Sequence, residues 1–191
     1  MKHRHFILYK PDGYLSQFVN NQTKRKSKKL LGELHNFPEG TMAIGRLDEP
    51  SEGLLFLTTD GKTSELIRSE KVEKEYYAQV DGLITEEAIE NMKLGVEIST
   101  ESGLYQTKAC KVQFLKKDPI LPARNKSIRS ERHGPTSWAS ITLTEGKYRQ
   151  VRKMTAAVGF PTLRLVRVRI GKVELDSLQP AETKEVVVFE I

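Results

Sequence analysis

Cysteine is nearly absent from this sequence: Cys110 is the only one among 191 residues, so neither an intramolecular disulfide nor a cysteine-based zinc site can form. A lone thiol fits a reducing compartment. The four histidines, His3, His5, His35 and His133, show no ligand spacing beyond His3-x-His5 at the extreme N-terminus, and no metal is expected. Long apolar runs are missing too. Nothing approaches the roughly 20 residues that span a bilayer, and the apolar stretch within MKHRHFILYK is too short for a signal peptide. A cytoplasmic protein without a membrane partner is the expectation. Without a GxxxxGK[ST] pattern there is no phosphate-cradling P-loop. Without a GxSxG elbow or a Ser-His-Asp order, acyl-hydrolase chemistry has no support.

What is present is an ordinary globular composition, 38% hydrophobic and 29% charged. A chain of this length folds as one large domain or two small lobes. Its 31 Lys and Arg outnumber 25 Asp and Glu, for a formal charge of +6, and their placement is uneven. Lys24, Arg25, Lys26, Lys28 and Lys29 form one cluster without an acid among them. A second runs from Glu145 to Lys172 and sets Lys147, Arg149, Arg152, Lys153, Arg164, Arg167, Arg169 and Lys172 against Glu145 as its one acid. Such clusters suit a phosphate-rich partner, because Lys and Arg release counterions from a nucleic-acid backbone on binding. A plain solvated surface is the competing reading.

Phe6 to Lys10 reads as a strand closed by the turn Pro11-Asp12-Gly13, and residues 20 to 29 read as a polar, basic loop able to clamp RNA. Leu54 to Thr59, bounded by Gly53 and by Asp60-Gly61, has the form of a buried strand, with a short helix expected from Ser64 to Arg68. Glu75 to Val80 reads as a strand, and Thr85 to Leu94 as a helix capped by Thr85 with Glu86 and Glu87 in its first turn. Further strands are expected over 103 to 115. Prolines and basic residues without period over 116 to 137 suggest an excursion that touches substrate. A strand from Ser137 to Leu143 and a helix from Tyr148 to Val158 follow. On that helix Val151, Met154 and Val158 share one side while Arg149, Arg152 and Lys153 share another. Many strands and few helices point to an α+β domain on a mainly antiparallel mixed sheet flanked by helices.

One loop is placed for chemistry. Gly45-Arg46-Leu47-Asp48-Glu49-Pro50-Ser51-Glu52-Gly53 sets an arginine and three carboxylates just before a buried strand. An aspartate in a turn also serves as a backbone hydrogen-bond acceptor, and spacing alone leaves both readings open.

The string AIGRLDEPSEGLLFLTTDGK resembles the signature loop of the pseudouridine synthases, a GRLD aspartate followed by a Ser-x-Gly-Leu-Leu strand. The match continues in order. Lys10-Pro11-x-Gly13 resembles the family's opening KPxG element and Lys74-Glu75-Tyr76 its KxY strand. EGKYRQVRKMTAAVGFPTLRLVRVRIG resembles the closing EGRxRQVRRM helix and LxRVxIG strand of the branch that modifies ribosomal RNA. Matching elements span residues 6 to 178. Two places depart from the commoner pattern: Ser51-Glu52-Gly53 stands for Thr-Ser-Gly, and Glu145-Gly146-Lys147-Tyr148-Arg149 for EGRNR. Neither removes a catalytic group. With KPxG starting at residue 10, the resemblance leaves no room for the small N-terminal RNA-binding domain that many relatives carry, so residues 1 to 191 are read as one catalytic domain.

The resemblance implies the pseudouridine synthase fold with its active-site cleft across the sheet. It implies isomerisation of a uridine in large-subunit (23S) ribosomal RNA, by a monomer that needs no cofactor. Asp48 takes the role of nucleophile. Tyr76 takes that of the ring that stacks on the target base and whose hydroxyl acts as a late general base, with a core aromatic as the alternative. Arg152 matches the arginine that pairs with the catalytic carboxylate, with Lys153 as fallback. Leu165 matches an apolar wall beneath the base, with ordinary core packing as the alternative. Arg46 matches an arginine near the flipped-out base or its phosphate. Lys10, Arg149 and the cluster Lys24, Arg25, Lys26, Lys28 and Lys29 are candidates for backbone contacts. The rivals are a non-catalytic RNA-binding or ribosome-assembly factor on the same fold, and a synthase acting on transfer RNA.

Overall fold

A computed structural model describes residues 2–19, 27–69, 71–124, 126–128 and 131–191. In chain order its elements are β1 (His5–Lys10), β2 (Met42–Ala43), β3 (Glu52–Thr58), α1 (Gly61–Arg68), β4 (Lys74–Asp81), α2 (Glu86–Leu94), β5 (Glu97–Thr100), β6 (Gly103–Gln106), β7 (Lys111–Phe114), β8 (Thr136–Leu143), α3 (Gln150–Ala157), β9 (Thr162–Ile170), β10 (Val173–Glu174) and β11 (Thr183–Val186). The chain divides into two compact units, one of residues 1–72 with 167–191 and one of residues 73–166. Strand β9 contributes its first half to the second and its second half to the first.

In the first unit the strand order is β11-β1-β3-β9, with β2 on β3 and β10 on β9. Strand β1 pairs antiparallel with both β3 and β11. All seven residues of β3 are buried; the apolar run Leu54 to Leu57 is covered on both faces, and Glu52 and Thr58 are buried at its two ends. Leu8, Leu55 and Leu57 pack with Phe6 and Leu31 into a core rimmed by Phe18 and Phe37. Gly53 marks the closest approach in this unit. Its φ is +101°, and a Cβ there would lie 2.3 Å from the Arg167 carbonyl oxygen on β9, so only glycine fits. Helix α1 begins three residues before its expected start, because the Asp60 carboxylate caps the backbone N–H groups of Lys62 and Thr63.

The second unit has the order β9-β4-β8-β7, with the antiparallel hairpin β5–β6 and helices α2 and α3. Strand β8 lies antiparallel between β4 and β7. Its core joins Ala78 and Val80 of β4, Ala139 and Ile141 of β8, Ile89 and Met92 of α2, Val151 and Met154 of α3, and Leu165 of β9. Helix α2 is capped as its sequence predicts, Thr85 Oγ1 accepting from the Ala88 N–H. Helix α3 is shorter than its apolar period suggests. Arg149 takes a left-handed conformation (φ 53°), so the helix starts at Gln150 and Arg149 is not one of its helical cations. The stretch expected as an excursion is described at residues 116–124, 126–128 and 131–137, and its last two residues, Thr136 and Ser137, already belong to β8. Its Pro122 carbonyl accepts a 2.7 Å bond from the Arg164 guanidinium, and the Leu115 N–H reaches the Trp138 carbonyl. No helix among the described residues is long and apolar enough to cross a membrane.

Candidate nucleic-acid active site

Asp48 sits half-buried in a turn closed by the Ser51 N–H on its own carbonyl, at 3.0 Å. Its flanks are held from distant parts of the chain. The Ser16 hydroxyl donates to the Leu47 carbonyl (2.8 Å) and accepts from the Leu47 N–H (2.9 Å), both in buried surroundings. The Gly13 N–H donates to the Glu49 carbonyl at 2.9 Å, and the Glu49 carboxylate forms an ion pair with Lys28. Arg46 is exposed at the rim of the turn.

Lys10 lies beneath this turn, not on the surface. It is completely buried, and its Nζ donates to the carbonyls of Pro11 (2.9 Å), Ser51 (2.8 Å) and Glu49 (3.3 Å). Three carbonyls match the three donors of an ammonium. Burial pulls its pKa down to about 7, against the opposing pull of Asp12, Glu52, Asp48 and Glu49. A buried, saturated amine cannot reach a phosphate, so the expected backbone contact becomes a brace for the loop.

Tyr76 and Leu165, both expected at the target base, lie in the second unit. Tyr76 stands on β4 opposite Ile141, half-buried against the same core cluster that takes in Leu165, which is 5% exposed. Tyr77, the next residue, falls on the other face and pairs with Ser140. Arg152 is half-buried on α3 and donates to the Thr162 carbonyl at the start of β9, 3.2 Å away. Lys153 donates to the Ser99 carbonyl at 2.6 Å and lies 5.3 Å from the Tyr148 ring centre.

The second basic cluster is not one surface. Arg164 and Arg167 are buried at 8% and 4% exposure, and the Arg167 Nε–H donates to the Leu54 carbonyl at 2.7 Å. Lys147, Tyr148 and Arg149 are exposed together, an aromatic residue between two cations in the chain, and Lys172 is exposed at the far end of the run. Of the first cluster, Lys28 and Lys29 are held in place. Lys24, Arg25 and Lys26 lie outside the described residues.

Glu145, the one acid of the second basic run and the first residue of its EGKYR segment, organises this end of the second unit. Glu145 is 2% exposed, and its carboxylate accepts from the Tyr105 hydroxyl, from the Lys108 N–H (2.9 Å) and from the Gln150 side-chain amide (2.7 Å). Gln150 in turn accepts from the Lys147 N–H at 3.0 Å. One buried carboxylate thus ties the β5–β6 hairpin, the segment between β6 and β7 and the first turn of α3 together. A single acid at the head of an otherwise cationic stretch was the available signal. Burial, with the Glu145 charge adding to it, pushes the Cys110 thiol up to about 11, which leaves it protonated and inert.

Residues 4–157 match the family model described as RNA pseudouridylate synthase. The chain belongs to the RNA pseudouridylate synthase family and is therefore an isomerase acting on RNA. Among its relatives, the ribosomal large subunit pseudouridine synthase E of Vibrio vulnificus (strain CMCP6) is 42% identical over 182 residues, covering 94% of this chain and 74% of that protein. The protein of the same name from Xanthomonas axonopodis pv. citri (strain 306) is 40% identical over 176 residues, covering 91% of this chain and 89% of that one. A crystal structure of a pseudouridylate synthase superposes with a TM-score of 0.75 at 26% identity, covering 96% of this chain and 70% of that one. The expected α+β, mainly antiparallel architecture is the one this family has.

Proposed function

We propose that this chain converts one uridine of large-subunit (23S) ribosomal RNA to pseudouridine, with Asp48 as its nucleophile, working as a cytoplasmic monomer without a cofactor. The observation that carries this reading is the 39–42% identity, over 91–97% of the chain, to four proteins that share the name ribosomal large subunit pseudouridine synthase E. The chemistry asks little beyond positioned side chains. The bond from N1 of uracil to the ribose breaks, the base turns, C5 bonds to the same ribose carbon, and C5 gives up its proton while N1 gains one. No electron leaves and no phosphate is consumed. A carboxylate serves as the group that attacks or stabilises the detached sugar, and an aspartate held on both flanks meets the positional demand of such a step.

Tyr76, Arg152 and Leu165 keep the roles that the resemblance assigns them. Lys147, Arg149 and Arg46, all exposed, are the RNA-backbone contacts in this reading. A uridine in a stem leaves its stack at a cost of a few kcal/mol, and contacts of this kind offset that cost. The test is incubation of the purified protein with unmodified 23S, 16S and transfer RNA transcripts, followed by pseudouridine mapping. Conversion of a single uridine in 23S RNA is expected. Conversion confined to transfer RNA, or binding without conversion, overturns the proposal.

A further inference from the structure

Two short stretches near the N-terminus hold one another before either touches the Asp48 turn. Tyr14 and Lys29 form a parallel bridge, the Leu15 N–H donates to the Lys29 carbonyl (2.9 Å), and the Leu31 N–H donates to the Gln17 carbonyl (3.0 Å). The Lys29 ammonium stands 5.4 Å from the Tyr14 ring centre. In the chain, the basic residues Lys24, Arg25 and Lys26 fall between these two stretches. From this small ladder, contacts reach the turn on either side of Asp48. The Ser16 hydroxyl takes both backbone groups of Leu47, which precedes it, and Lys28 takes the side chain of Glu49, which follows it. The Lys28 side chain is only 12% exposed, against 36% for Glu49. A lysine turned inward on a carboxylate is poorly placed to neutralise a phosphate.

We propose that Lys28 is a positioning residue for Asp48, acting through Glu49, and not an RNA contact. The ion pair closes a clasp that ties the ends of the basic segment to the turn carrying the nucleophile, so that the hold on this segment sets where the carboxylate points. The ladder supplies the rigid arm, Ser16 one jaw and Lys28 the other. This inference rests on the reading of Asp48 as the nucleophile. A displacement of about 1 Å at a reacting group costs on the order of a hundredfold in rate, and a clasp that loosens on one side only costs part of that.

The test compares Lys28→Glu, Glu49→Lys, the exchanged pair Lys28→Glu/Glu49→Lys, and Lys28→Arg, with Ser16→Ala as a variant of the other jaw. Two readings are taken: steady-state pseudouridine formation on a 23S transcript, and hydrogen exchange at the Leu47 and Ser51 amides. Lys28→Glu is expected to lower kcat about tenfold with KM nearly unchanged, and to speed exchange at both amides. The exchanged pair is expected to recover both to within about threefold, and Lys28→Arg to stay near wild type. Ser16→Ala should lower kcat in the same way without touching a charge. The proposal is overturned if amide exchange is unchanged in Lys28→Glu. It is overturned equally if that variant raises KM with a flatter salt dependence that the exchanged pair does not cure, the signature of a lost phosphate contact. An inactive wild-type protein whose amides nevertheless respond as described would refute the role of Asp48 while leaving the clasp in place.

Discussion

The two units hold their candidate residues in different ways. In the first, Asp48 sits on a turn whose flanks are bonded by Ser16, Gly13, Lys28 and Lys10, all from at least twenty residues earlier in the chain. In the second, Tyr76, Arg152 and Leu165 sit on a strand, a helix and a strand, where regular hydrogen bonding holds the backbone and Tyr76 and Leu165 share one core. A turn has no ladder to brace it, so precision there comes from tertiary contacts; an element supplies its own. The units should therefore respond differently to substitution, the first through its braces and the second mainly through the chemical groups themselves.

The contrast is sharpest at Tyr76. Tyr76→Phe keeps the ring packed on its core and removes only the hydroxyl, so the melting temperature should hold while kcat falls by about a hundredfold or more. Near-normal turnover by the phenylalanine variant would leave Tyr76 as a core aromatic. Glu145 is the place where the second unit behaves like the first. Glu145→Ala strands the Tyr105 hydroxyl, the Lys108 N–H and the Gln150 amide, and should cost about 2 kcal/mol or more in a denaturant titration. Loss of activity should follow the disordering of α3, whereas no change in stability would break the claim that this carboxylate organises the turn.

Smaller effects are expected where charge meets solvent. Lys147→Ala with Arg149→Ala should weaken binding of 23S RNA and reduce the magnitude of its log-log salt slope by about 1.5, with the chemical step of bound RNA intact. An unchanged slope would remove the exposed triplet from the RNA interface. Smallest is the pH dependence of Lys10. Its folded pKa, about 7, lies below the 10.5 of a free lysine, so between these values the unfolded chain binds more protons and stability rises with pH. The stability of wild type relative to Lys10→Met should therefore increase from pH 7 to pH 10 and stay level below pH 7, as urea midpoints would show. A flat difference would mean that the amine is not depressed by burial.

The same contrast explains what could be read from sequence. The apolar run of β3, the Thr85 cap of α2 and the Val151–Met154 face of α3 are local patterns, and each became the element its period predicts. The first turn of α3 was misread because helical period continues through Tyr148 and Arg149, and nothing local announces that Arg149 is left-handed. Lys10 next to Pro11 looked like a surface cation. Its burial depends on carbonyls some forty residues away in a loop, a relation no window on the sequence contains. Glu145 and Lys28 raise the same difficulty, since charge counting does not tell a buried carboxylate or a lysine paired with a carboxylate from solvated ones. Asp48 was singled out from its motif, yet the bonds that brace its turn were not legible there.

The most direct measurement is a pseudouridine map of ribosomal RNA from cells lacking this gene, complemented with wild type or with Asp48→Asn at equal protein level. The account predicts loss of one large-subunit pseudouridine, restored by wild type and not by Asp48→Asn. Restoration by the asparagine variant, or an unaltered map in the deletion strain, would contradict it.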